Sequence, residues 1–538
     1  METFFKNPLV LSVLSGLLLA LSWPTYGFPL LIFFAFIPLF LAEAILSKSE
    51  RKVKHKVLAL GYLTFLLWNF ITTWWLFYAS AFGMLFAVLV NSLLMSLLFL
   101  LYHVASKRIS AKLSLVFFIC LWISFEKFHL HWDFSWPWLN LGNVFAEYYQ
   151  WIQWYEFTGT FGGSLWILLT NAIGFHLIKN ISDPRPAVIV KIVFPRIVLM
   201  ISIPIVISFW MYQTYEIKGP TKDVVVLQPN VDPYTEKYDT PNYITTLGLL
   251  QQTDEVITPD TEFVLAPETV LAESVPFEQF YNSRSRELMA DYIQRHPKAQ
   301  LLWGIDTYNF VYNKADVLPS SNVFRDELWV NFYNAALFVS ERPDFQKYYK
   351  SKLVVGIENL PYKPVLEPLL GNIMLDLGGT ISTKTTQLER VPFTADDGTK
   401  VAPIICYESV YGEYVTGFVK NDAGFLAIIT NDAWWNTTEG HRQHLTFASL
   451  RAIETRRDIA RSANTGISAF INQRGEVVSK TKYGEKTALA GKIHLNTKKT
   501  FYVQHGDYIA RACAIILLLM IAYIALKNRF ICLLTPVK

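Results

Sequence analysis

Eight long apolar stretches, near 8 to 24, 27 to 46, 57 to 78, 80 to 102, 113 to 127, 161 to 178, 195 to 212 and 508 to 526, dominate the hydrophobic pattern of the chain. A helix that crosses a bilayer needs about 20 predominantly apolar residues, so the pattern predicts eight transmembrane helices. Between about 222 and 500 the texture changes to short apolar runs: Val224 to Leu227, Phe263 to Leu265, Leu301 to Trp303, Ala335 to Phe338, Ile404 with Ile405, Leu426 to Ile429, and Ile467 to Ile471. Strands apolar at consecutive positions are buried on both faces. Helical patterns near 241 to 256, 278 to 294 and 441 to 462 alternate with them, which predicts an α/β layered sandwich. The chain thus divides into seven helices over 1–212, an α/β domain over 213–505, and a last helix with its tail over 506–538.

Composition agrees with two materials, since 52% of the 538 residues are hydrophobic and only 17% are charged. Lysine and arginine then set an orientation, because cytoplasmic loops are enriched in them. Lys48 to Lys56, Lys107 to Lys112 and Lys179 to Arg196 are basic, whereas Trp23 to Phe28 and Trp74 to Ala81 carry no charge and His129 to Leu177 contains no lysine or arginine. The alternation places the N-terminus inside and the α/β domain outside. No small-residue cleavage site follows the first stretch, which reads as a retained anchor. The formal charge of +4 is explained by this topology and points to no nucleic acid. Between Trp132 and Phe157, aromatic residues including Trp136, Trp138, Trp151, Trp154 and Tyr155 read either as a headgroup-level belt or as an entry for lipid.

Four cysteines occur, and Cys120, Cys513 and Cys532 lie in or beside apolar stretches, so Cys406 has no partner for a disulfide or a zinc cage. Buried free cysteines commonly behave as inert hydrophobes, and the thiol alone says little. Functional groups in open α/β sheets sit at the carboxyl ends of strands, which directs attention to Glu268, to Cys406-Tyr407-Glu408, and to Thr430 through Trp435. A further candidate is Lys350, with Lys352 two residues on and Glu358 eight residues on. Each has a plain alternative: Glu268 after Pro267 as a capping carboxylate, and the lysines as solvated surface. Glu439, His441 and His444 read as the opening turn of a polar helix rather than a metal site.

In this order, Glu268, Lys350 and Cys406 resemble the catalytic set of the nitrilase, or carbon-nitrogen hydrolase, superfamily, whose fold is an α-β-β-α sandwich. Further motifs are Pro137-Trp138-Leu139-Asn140-Leu141-Gly142, Gly159-Thr160-Phe161-Gly162-Gly163, Gln228-Pro229-Asn230, Trp303-Gly304, Tyr333-Asn334, Asn431-Asp432-Ala433-Trp434 and Asn464-Thr465-Gly466-Ile467-Ser468. With these, the whole chain resembles the apolipoprotein N-acyltransferase family of bacterial membrane enzymes.

The resemblance implies that Cys406 is a nucleophile, Glu268 its general base and acid, and Lys350 the oxyanion stabiliser together with the backbone N–H of Tyr407. Glu358 and Glu408 would support them, and Trp434, Trp435, Asn334 and Trp138 are substrate-binding candidates. It also implies a phospholipid acyl donor, phosphatidylethanolamine, and a diacylglyceryl-apolipoprotein acceptor, with no cofactor and no metal. The implied location is the bacterial inner membrane, with the catalytic domain on the periplasmic side.

One departure stands out, since the family has Val-Pro-Phe-Gly-Glu where this chain has Val354-Val355-Gly356-Ile357-Glu358. That leaves the role of Glu358 open, and Lys352 is a rival for the catalytic lysine. A membrane-anchored amidase that passes the acyl group to water, and a lipid transporter or scaffold without activity, remain alternatives. Pro361 to Leu377 reads equally as a membrane-dipping arm or as an ordinary buried helix.

Overall fold

A computed structural model describes residues 7–49, 52–180, 186–363, 365, 367 and 382–534. The chain forms two compact units, one of Met1–Trp75, Met84–Gln213 and Asp507–Lys538, the other of Leu76–Gly83 and Thr214–Gly506.

In the first unit, helices Pro8–Leu21, Ile37–Ser49, Lys54–Thr73, Ala81–Ser106, Ala111–His129, Thr160–Lys179, Pro186–Thr214 and Tyr508–Leu534 fall on the eight predicted stretches in turn. Among the described residues, six segments are long and apolar enough to cross a membrane: Pro29–Lys48, Lys54–Tyr78, Ala81–Ser106, Thr160–Lys179, Lys191–Thr214 and Tyr508–Lys527. Pro8–Leu21 is shorter, and Ala111–His129, which carries Lys112, Glu126 and Lys127, is not among them. The expected aromatic belt is partly internal. Trp138 and Tyr155 are fully buried, Trp138 against Trp75 and Trp136, and the Tyr155 hydroxyl donates to the Gly142 carbonyl at 2.8 Å. Buried Glu126 fixes this segment by accepting from the Leu141 N–H at 2.7 Å and from Ser164 Oγ at 2.7 Å.

The second unit contains fourteen strands among the described residues: β1 (Thr221–Gln228), β2 (Thr261–Leu265), β3 (Leu271–Pro276), β4 (Gln300–Val311), β5 (Asn322–Arg325), β6 (Leu328–Val339), β7 (Gln346–Tyr349), β8 (Phe393–Thr394), β9 (Lys400–Ile405), β10 (Phe425–Thr430), β11 (Ile459–Ala463), β12 (Ala469–Ile471), β13 (Val477–Lys480) and β14 (Thr487–His494). They make one sheet in the order β14-β1-β2-β4-β6-β5, with β3 on β4 and β7 on β6, and another in the order β13-β12-β11-β10-β9-β8. In each sheet the parallel strands are central: β1, β2 and β4 in the first, β9, β10 and β11 in the second.

The consecutive apolar runs follow from burial on both faces. On the first sheet Val225, Val264, Leu301 and Leu337 face the helices Asn242–Asp254 and Arg284–Arg295, joining Leu249, Met289 and Ile293 in one core. Alternate residues meet the second sheet, as in Phe263 on Phe425 (5.3 Å between ring centroids) and Phe338 on Phe393 (5.4 Å). Helices Gly412–Lys420 and Glu439–Thr455 lie against the second sheet, which completes the α-β-β-α arrangement.

Two expected helices change. The stretch 278 to 294 is two helices, Phe277–Tyr281 and Arg284–Arg295, because the Ser283 side chain caps the Arg286 N–H and starts a new one. The stretch 441 to 462 is helical only to Thr455. Arg456 takes a left-handed conformation (φ 50°) that ends the helix, and 459–463 is β11 at the centre of the second sheet.

The core of the second sheet sets a stability expectation. Ile428 of β10 is fully buried, so Ile428→Ala should cost about 2 to 5 kcal/mol, read as a lower denaturant midpoint for the detergent-purified protein.

Candidate active site

Strand ends deliver the polar groups of the site. Beyond β2 the chain turns through Pro267 and Glu268 directly over β4, where the Gly304 N–H donates to the Pro267 carbonyl at 3.2 Å. No side chain fits there: a Cβ on Gly304 would lie 2.4 Å from the Pro267 oxygen and 2.7 Å from the Glu268 Cα. From β6, the Asn334 amide donates to Glu268 Oε1 and to Glu358 Oε1, both at 2.8 Å. Beyond β7, Lys350 is tied by its own N–H to the Asn334 carbonyl at 2.8 Å. Its ammonium lies 2.7 Å from Glu268 Oε1 and 2.8 Å from Glu358 Oε2, and the side chain is 1% exposed.

Burial alone would drive this lysine neutral, but the charges of Glu268 and Glu358 outweigh it and hold the Lys350 pKa well above the ordinary lysine value. In the same way, burial favours a protonated Glu268, while Lys350 by charge and hydrogen bond, then the charge of Lys237, hold its pKa below the ordinary range. The other Glu268 oxygen accepts the Asn431 N–H at 3.2 Å. The turn that lacks the family's proline still delivers Glu358. Gly356 adopts a positive φ of 78°, and Glu358 closes the turn by accepting the Val354 N–H at 2.8 Å.

Cys406 stands at the end of β9 with φ 50°, a left-handed conformation that a non-glycine residue adopts at a cost of order 1 to 3 kcal/mol. Burial first, and the Glu268 charge second, push its thiol pKa far up, with Lys350 opposing. The thiol is therefore held protonated within the field of both groups. Glu408 braces it: Oε1 accepts the Ser351 N–H at 2.7 Å and Oε2 the Ile405 N–H at 2.8 Å, so one carboxylate joins the neighbours of Lys350 and of Cys406. Tyr348 and Tyr414 hydroxyls donate to the same group at 2.7 and 2.8 Å.

Sequence reasoning missed a second brace. His444 Nε2 lies 2.9 Å from Ser409 Oγ and 3.3 Å from the Cys406 carbonyl, and its Nδ1 lies 3.0 Å from Asp432. Arg461 of β11 donates to Asp432 at 2.7 Å, and all of these side chains are buried. Burial opposes the charge on Asp432, but Arg461 and then His444 hold its pKa well below the usual carboxylate range.

The remaining predicted residues are placed as follows. Lys352 lies over the Tyr411 ring, 4.8 Å from its centroid, so Lys350 rather than Lys352 meets Glu268. Asn334 bridges two carboxylates, and the Tyr407 side chain is buried edge-on to Tyr411. Trp434 packs edge-on to Tyr234 and lines a cavity with Asn230 and Tyr483, while Trp435 packs edge-on to His444. Trp138 belongs to the core of the helical unit. Glu439 and His441 open a polar helix most of whose side chains are buried, with Arg442 exposed, and the described residues include no group of three or more His, Cys, Asp or Glu able to hold a metal. Most of 361–377 lies outside the described residues.

Comparison with known proteins adds two family matches: the apolipoprotein N-acyltransferase N-terminal domain over residues 15–173, and carbon-nitrogen hydrolase over residues 323–501. An apolipoprotein N-acyltransferase of Chlorobaculum tepidum is 28% identical over 95% of this chain and 96% of its own length. One from Geobacter metallireducens is 26% identical over 94% and 93%. Among solved structures, Saccharomyces cerevisiae Nit3 of the nitrilase superfamily aligns with 52% of this chain and 91% of its own at 14% identity, with a TM-score of 0.35.

Two substitutions test the scaffold of the site. Gly304→Ala should cost about 1 to 3 kcal/mol through overpacking and displace Glu268. Glu408→Ala leaves two backbone N–H groups unpaired, at about 1 to 3 kcal/mol each. Both should lower activity more than thermal stability predicts, as seen by assaying well below the unfolding midpoint.

Proposed function

The chain belongs to the apolipoprotein N-acyltransferase family, and from that premise we propose that Cys406 carries a fatty-acyl group from a membrane phospholipid to the N-terminal amine of a diacylglyceryl-cysteine. The protein is an acyltransferase of lipoprotein maturation. The observation that supports this use of the site is the buried Lys350 ammonium held between Glu268 and Glu358 beside a buried, protonated thiol.

In the first half-reaction Cys406 Sγ attacks the acyl ester carbonyl as its proton passes to Glu268. A thiol kept neutral needs such a base, because the thiolate is the nucleophile. The carbonyl π pair moves to oxygen, and that oxyanion is met by Lys350 and by the Tyr407 backbone N–H. One such donor is typically worth about 2.7 to 4 kcal/mol. Collapse breaks the C–O bond, Glu268 returns its proton to the leaving lysophospholipid, and a thioester remains on Cys406. In the second half the acceptor amine attacks the thioester and gives up a proton to Glu268. The amide forms as the Cys406 sulfur departs and is reprotonated. The turnover is ping-pong and uses no cofactor or metal.

Phosphatidylethanolamine is the proposed donor. The basic-loop alternation supports eight spans in the inner membrane, with the domain over 213–505 on the periplasmic side. Anchoring has a physical basis, since both substrates carry acyl chains worth about 0.8 kcal/mol per buried CH₂.

Intact mass of the purified protein after incubation with phosphatidylethanolamine should show an acyl increment that Cys406→Ala abolishes. A lipopeptide acceptor should discharge it as an N-acyl peptide; discharge to water alone, with no acylated peptide, would establish a hydrolase instead. Lys350→Ala should slow thioester formation by roughly 100- to 1,000-fold, whereas Lys352→Ala should change it by less than about tenfold. Equal losses from the two would refute the lysine assignment.

A further inference from the structure

We propose that Lys237 is a positioning residue of this site: the second cation that keeps the Glu268 carboxylate ionised, and so ready to take the Cys406 proton. The inference rests on the acyl-transfer reading. Lys350 is a single positive charge shared by two carboxylates, Glu268 and Glu358, which leaves one negative charge over. The neighbouring Lys384–Asp306 pair, at 2.7 Å, is already balanced. A buried carboxylate with no balancing charge takes up a proton, and a protonated Glu268 is no base.

Lys237 supplies the missing charge. It belongs to the loop after β1 and is buried, with Nζ donating to Thr269 Oγ1 at 2.6 Å, one residue beyond Glu268. Thr269 has φ 44°, a left-handed conformation that is a genuine outlier for a β-branched side chain. The lysine therefore also holds the strained turn that aims Glu268. The charged and titratable groups facing it from the surrounding elements are Glu268, Asp306, Lys384 and Cys406, and the Tyr238 ring centroid is 5.7 Å from its Nζ. Lys237, Glu268, Glu236 and Lys486 line one cavity of about 130 Å³.

The balance depends on pH. Burial draws the Lys237 pKa down to about 8, with Glu268 and Asp306 opposing, so the side chain is an ammonium at neutral pH and becomes an amine in mild alkali. An arginine in its place would keep its charge throughout. Removing the cation destabilises the ionised form of Glu268, which raises its pKa, and a higher pH is then needed to keep the base active.

The experiment measures the initial rate of Cys406 thioester formation against pH, using full-length protein in detergent with phosphatidylethanolamine and no acceptor. Lys237→Gln retains a hydrogen-bond donor for Thr269 without the charge, and Lys237→Met retains neither. In both, the acid limb should move to higher pH by about one unit, a roughly tenfold loss on the acid side that is recovered at higher pH. Lys237→Arg should restore the wild-type acid limb. A loss by the same factor at every pH, with the acid limb in place, would show a merely structural role and overturn the proposal. A donor-free measurement separates this result from failure of the acyl-transfer reading. The pH profile of Cys406 alkylation by iodoacetamide should move to higher pH in Lys237→Gln, and an unmoved profile overturns the role of Lys237. If that profile moves while the wild-type protein forms no thioester, the acyl-transfer reading fails and the electrostatic role stands.

Discussion

One buried ammonium between two buried carboxylates is the constraint around which the second unit is arranged. Taking three charged groups out of water costs several kcal/mol each, which only close pairing and full hydrogen bonding offset. That pairing draws on separate pieces of chain: Glu268 beyond β2, Asn334 in β6, Lys350 beyond β7, and Glu358 at the end of a glycine turn. No one of them can move without leaving a buried charge exposed to an apolar surround. Such rigidity suits the proposed role, because an oxyanion is stabilised most by charges that need no reorganisation.

Cys406 is tuned differently. Its surroundings favour the neutral thiol, so the proposed attack would need the proton to leave to a base already in place. Two braces fix the strained turn that presents it. Glu408 ties the turn to the lysine segment, while His444, held by Asp432 that Arg461 in turn pairs, reaches its carbonyl.

Apolar periodicity made the central strands legible, and the eight helical stretches likewise. That Glu268, Lys350 and Cys406 meet was legible because strand ends in this fold deliver polar groups to one place, and the structure brings the three together. What escaped was charge that folds inward. Lys237 sits among Asp232, Pro233, Tyr234 and Glu236, a composition that reads as a solvated loop. Arg456, Arg457 and Asp458 hide the entry to β11, and Arg461 interrupts its apolar run, although the arginine is fully buried. His444 reads as part of the opening turn of a polar helix, and only tertiary packing reveals that it points inward, as do Arg451 and Glu454 further along. Without a proline before it, Glu358 still reaches Lys350, through a turn that Gly356 makes by conformational freedom rather than by rigidity.

The staple made by Glu408 has a bearing on the order in which the protein matures. Glu268 and Lys350 come from the eight-stranded sheet and Cys406 from the six-stranded one, and the Glu408 carboxylate ties the lysine segment to the cysteine strand across the seam. Neither sheet alone holds all three groups of the proposed site. On the proposed chemistry, the base and the lysine therefore reach the thiol only when the two halves have closed on each other.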